Sequence, residues 1–138
     1  MSTVIEQAVE ARLVASAPRM ETVPATLRYD RRDPFAVRMS FPAAAALEGV
    51  EVVWEFSREL LLAGLRRPAG SGDVRVRPWG RDRAVLEFHV PEGVAMVQVC
   101  RSELWRFAQR TLQVVPVGFE HLYLDLDHDL ARLLRDAR

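Results

Sequence analysis

Side chains able to do chemistry are sparse in this chain, and their spacing argues against each obvious site. Asp125, Asp127 and Asp129 alternate, with Asp136 at the twelfth position counted from Asp125, which is the outline of a calcium loop. The sixth position of such a loop needs glycine for its sharp turn, and here it is Leu130. Leu130, Leu133 and Leu134 keep helical spacing straight through the segment, so the aspartates read as acidic stabilisers of a helix start. His89, His121 and His128 lack an i, i+4 ligand pair, and a single cysteine cannot complete a structural zinc site. Cys100 ends an apolar run, where an inert buried residue is a commoner outcome than a nucleophile served by a distant histidine. No G-x-S-x-G, Walker loop or G-x-G-x-x-G occurs, and Gly70-Ser71-Gly72 reads as a turn. The expectation is a protein that is not an enzyme, with no catalytic, metal or cofactor residues.

One charged stretch stands out. Arg66, Arg67, Arg75, Arg77, Arg81 and Arg83 face only Asp73 and Asp82 in the same segment, with Trp79 among them. Arginine interleaved with an aromatic is how single-stranded nucleic acid is held, each stacked base contributing about 1–3 kcal/mol. Arg75, Arg77, Trp79 and Arg83 are therefore the alternative, nucleic-acid-binding patch. A solvated strand face explains the same residues more simply. The whole chain carries 19 basic and 19 acidic residues, which excludes a strongly basic, chromatin-type protein. All 19 basic residues are Arg, Lys and Asn are missing, and Ile5 is the sole isoleucine. The missing types have AT-rich codons, so the composition points to a GC-rich genome and weakens each Arg as a sign of bidentate recognition.

These residues must be positioned by one compact unit. A length of 138 residues with 49% hydrophobic content suits a single domain over 1–138 with one core. A lone cysteine, no signal-like N-terminus and no long apolar run lead to the expectation of a cytoplasmic protein. Strand alternation appears in Val9 to Ala15, Val23 to Tyr29, Phe35 to Phe41 and Val50 to Phe56. Phe35, Val37, Met39 and Phe41 are expected on one face. Ser57 then caps a short helix carrying Leu60, Leu61 and Leu65, limited by Gly64 and Pro68. The pattern restarts with strands at Val74–Val76, Ala84–Val90 and the apolar Val94–Cys100, expected to be buried on both faces. A helix follows, with Ser102 as the expected N-cap and the stripe Leu104, Phe107, Ala108, Thr111, Leu112 and Val115. A last helix is expected from Asp127 to Arg135. The class is α+β, with strands-then-helix units repeated and a C-terminal helix. Val53, Val85 and the second face of Val94–Cys100 are left needing a cover that oligomerisation would provide.

Leu27-Arg28-Tyr29-Asp30 followed by Asp33 to Phe41 resembles the SsgA-like sporulation and cell division regulators of sporulating actinobacteria. Val53 to Leu61, Gly64-Leu65, Arg67-Pro68, Gly72 to Val76 with Pro78, Arg110-Thr111, Val115-Pro116, Gly118 and Leu124 to Asp127 follow the same family in order. Where the family often places Trp directly before the Pro of this central block, the chain has Arg77 before Pro78 and Trp79 after it. The resemblance implies a non-enzymatic regulator of septum formation with a whirly-like antiparallel sheet, assembled as a homotrimer. It further implies septal partners such as the tubulin-like division protein FtsZ or another SsgA-like protein, with recruitment to the division septum. Partner binding then needs apolar or aromatic anchors, and Trp79 and Trp105 are the candidates. Trp105 falls about 100° off the core stripe of its helix.

Overall fold

The computed structural model describes residues 4–14, 20–43, 49–91 and 93–124. Four strands, β1 (Val4–Val14), β2 (Met20–Asp30), β3 (Ala36–Phe41) and β4 (Val52–Ser57), lead into helix α1 (Arg58–Gly64). Three more, β5 (Val74–Trp79), β6 (Arg83–Val90) and β7 (Gly93–Cys100), lead into α2 (Arg101–Val114), and a 3-10 turn follows at Glu120–Tyr123. The expected α+β class and the repeated strands-then-helix order are both present. All seven strands form one antiparallel sheet in the order β4-β3-β2-β1-β7-β6-β5. The two units join where β1 pairs with β7, from Ala11 opposite Val99 to Val14 opposite Met96.

Alternation explains the inner face. Ala25, Leu27 and Tyr29 of β2, Val37 and Met39 of β3, and Ala84, Leu86 and Phe88 of β6 are buried. They meet Leu61 and Leu65 of α1 and Leu104, Phe107 and Ala108 of α2 in one core. The sheet curls far enough for Trp54, on an edge strand, to lie 4.8 Å from Phe88 ring to ring. Ser57 caps α1 as expected, its Oγ accepting from the Leu60 N–H at 2.9 Å. Gly64 lets α1 lie directly on β5, because any Cβ there would overlap Val76.

Several expectations are corrected. β1 begins at Val4, earlier than the alternation around Val9 suggested. Phe35 belongs to the turn before β3 and is exposed; its carbonyl accepts the Arg58 N–H at 2.8 Å. Ser102 is not the cap of α2, since β7 runs straight into the helix and Cys100 takes that position. In β7 burial is confined to Val97, Gln98 and Val99, while Val94 and Ala95 are exposed. Val85 needs no second chain to cover it: paired between Arg77 and Gln98, it is 1% exposed within one protomer. Val53 and Val94 do remain exposed. The expected helix at 127–135 and the aspartates from Asp125 onward lie outside the described residues.

Candidate partner-binding site

The four residues of the nucleic-acid patch share one face. Arg75, Arg77 and Trp79 alternate with the buried Val74 and Val76 on β5, and Arg83 stands opposite Trp79 in the register with β6. Trp79 is 47% exposed. Within this face Arg77 is already engaged, with its guanidinium 4.9 Å from the Trp79 ring centroid and 3.2 Å from the Glu87 carboxylate. Glu87 also lies 3.3 Å from His89. The basic run of the sequence is therefore divided in space, because Arg66 and Arg81 lie elsewhere.

Arg66 and Arg81 line a cavity of about 640 Å³ together with Asp82, Arg101, Ser102 and Trp105. Trp105, on the outward side of α2 as its helical angle predicts, is 36% exposed. Two hydrogen bonds fix this wall. The Arg101 guanidinium donates to the Leu65 carbonyl at 2.7 Å, and the Arg101 N–H donates to the Asp82 carbonyl at 2.8 Å. Cys100 belongs to the same lining and is only partly buried, contrary to the expectation of an inert core residue. Its Sγ shares a hydrogen bond of 3.1 Å with the Ser102 hydroxyl. That bond, followed by the Glu103 N–H, holds the thiol below its ordinary value of 9.0. Trp79 is not among the residues lining this cavity, although Arg83, its partner across the β5–β6 register, pairs in turn with Cys100 of the lining.

A buried cation sets the far end of the helices. Arg58 is 2% exposed and donates from Nη1 to the carbonyls of Thr111 and Val115, the last turn and C-cap of α2, where the helix dipole is negative. Its Nη2 lies 2.8 Å from the Glu120 carboxylate, and its guanidinium is 5.2 Å from the Tyr29 ring centroid. Glu120 also accepts from the Gly118 N–H at 2.8 Å. Burial pushes the Glu120 carboxyl up, but its own N–H, Arg58 and Gly118 outweigh that and hold it below 4.5. This network fixes the loop that presents Val117 beside α1. Sequence spacing gave no sign of it, as 62 positions separate Arg58 from Glu120.

Residues 23–120 match the family model described as Streptomyces sporulation and cell division protein, SsgA. The sporulation-specific cell division protein SsgB of Salinispora tropica is 46% identical over 135 residues, covering 96% of this chain and 94% of that protein. SsgB of Streptomyces coelicolor is 41% identical, covering 99% and 100%. Among solved structures, an SsgB structure concerned with longitudinal cell division during sporulation of Streptomyces coelicolor superposes with a TM-score of 0.79 at 38% identity, over 88% of this chain and 96% of that one. The SsgA-like protein of Thermobifida fusca gives 0.81 at 31% identity, over 96% and 98%. Agreement of sequence and fold along nearly the full length makes this chain a member of the SsgA family of sporulation and cell division proteins.

Proposed function

We propose that this chain regulates septum formation in sporulation-specific cell division by binding other proteins, without catalysing a reaction. The observation that carries this reading is its identity of 46% and 41% to two SsgB proteins across almost the whole chain. In this reading the protomer is whirly-like and trimeric, with exposed Val53 and Val94 supplying apolar surface for assembly. It is cytoplasmic and is recruited to the septum through FtsZ or another SsgA-like protein. Co-sedimentation with polymerised FtsZ tests the partner: the chain pellets with filaments, and a chain left wholly in the supernatant ends the claim of direct recruitment. Sedimentation equilibrium tests the trimer, which a clean monomer at high micromolar concentration contradicts.

A second reading, a whirly-like binder of single-stranded DNA or RNA, is favoured by the shared face of Arg75, Arg77, Trp79 and Arg83. Against it, Glu87 stands within that face and Arg77 already covers the Trp79 ring. Oligonucleotide anisotropy decides, because phosphate binding must strengthen as salt falls and its absence at low salt removes this reading.

A further inference from the structure

The cavity at Arg66, Arg81 and Arg101 adjoins a second one of about 500 Å³, and Arg66 and Trp105 line both. The second cavity is walled by Leu62 and Ala63 of α1, Leu112 of α2 and Val117 beyond it, with Glu59 and Arg67 also in the lining. Together they make a groove along the two helices that is basic at one end and apolar at the other, with Trp105 between. At the basic end three arginines share the lining with one acidic residue, Asp82. Arg101 is fixed by its bond to Leu65, which lowers the ordering cost of binding there. Arg66 and Arg81 are exposed and enter no ion pair among the described residues.

We infer that this groove binds a segment of a partner protein carrying a cluster of Asp or Glu residues followed by apolar side chains. The carboxylates lie against Arg66, Arg81 and Arg101, and the apolar side chains against Trp105, Leu112 and Val117. Three forked donors suit carboxylates, and a partly exposed tryptophan beside aliphatic walls suits an anchor that leaves water. A single-stranded nucleic acid is a poorer match, since the apolar half offers no cation for the next phosphate beyond Arg66 and Arg67 and sets Glu59 against it. The inference rests on the protein-binding reading above and adds the chemistry of the partner.

A phage library of random 12-residue peptides panned over the full-length chain tests it. The expected result is a consensus with at least two acidic residues next to a Leu, Phe or Trp. A synthetic peptide of that consensus then loses at least tenfold in affinity to the double variant Arg66→Glu/Arg81→Glu and to Val117→Asp, while circular dichroism confirms that both fold. No enrichment, a neutral or basic consensus, or affinity unchanged in both variants overturns the proposal. So does displacement of the peptide by a dT12 oligonucleotide at lower concentration than by unlabelled peptide. Co-sedimentation of the double variant with FtsZ separates the two claims. Normal pelleting without peptide binding sinks the groove as the FtsZ contact and leaves the division role standing.

Discussion

The Arg58 guanidinium lies 2.8 Å from the Glu120 carboxylate while also holding the last carbonyls of α2, so one buried side chain ties the start of one helix to the end of the other. Removing the cation takes the guanidinium donor from the Val115 carbonyl and leaves the Thr111 carbonyl with the Val115 N–H and Glu120 with the Gly118 N–H. Arg58→Met is expected to cost about 3–5 kcal/mol, read as a shift in the urea midpoint. The pH response has a definite sign. Because Glu120 is held below 4.5 in the folded chain, its contribution is complete above that value and is lost as pH falls below it. Glu120→Gln is therefore less stable at neutral pH and shows a shallower loss of stability in acid.

Tyr29 predicts the opposite end of the pH scale. Its ring is fully buried and its hydroxyl donates to the Pro34 carbonyl at 2.8 Å. Burial, partly offset by Arg58, pushes its ionisation up to about 12 from 10.0. The folded chain thus keeps this contribution below pH 10 and loses it as pH rises toward 12. Tyr29→Phe abolishes that alkaline step and costs about 1–3 kcal/mol at neutral pH, since the Pro34 carbonyl loses its donor.

Gly64 predicts a substitution whose local and tertiary effects oppose each other. Alanine is the better helix former by about 1 kcal/mol. Its Cβ, however, would overlap the Val76 side chain and stand 2.9 Å from the Val76 carbonyl oxygen. Overpacking at this helix–strand contact costs about 1–3 kcal/mol, and the expected outcome is a lower melting temperature for Gly64→Ala.

Cys100 predicts a reactivity profile. The pH–rate curve for iodoacetamide alkylation of the folded chain is expected to reach its midpoint below 9.0, and Ser102→Ala to move that midpoint upward. Equal midpoints in the two proteins would remove Ser102 as the stabiliser of the thiolate.

Much of this was legible because period-two alternation and the α2 stripe reflect burial on one side. Tyr29 and Leu27 fell inward and Trp105 fell outward as their spacing required. Ser57 was readable as a cap because the chain changes period there. Ser102 misled because strand and helix meet without a loop, so Cys100 takes the cap and the serine bonds its sulfur. Phe35 misled because a second turn follows the Asp30–Asp33 turn, with the Ala36 N–H donating to the Asp33 carbonyl, and β3 starts only at Ala36. The basic groove was hidden because Arg101 comes from the second strands-then-helix unit and meets Leu65 of the first across 36 positions. Linear charge counting instead merged Arg66 and Arg81, which line the cavity, with Arg75, Arg77 and Arg83, which do not.

Trp105→Ala separates binding from folding. With its indole partly in solvent at the centre of the groove, the variant is expected to lose about 1 kcal/mol of stability or less and to lose partner binding at least tenfold. A large stability loss would return Trp105 to the core.

The most direct measurement counts sporulation septa in a strain of the native host lacking this chain. Septa are expected to be lost, to return with the wild-type chain, and not to return with a Trp105→Ala chain present at wild-type abundance. Normal septation in the strain without it would contradict a role in sporulation-specific division.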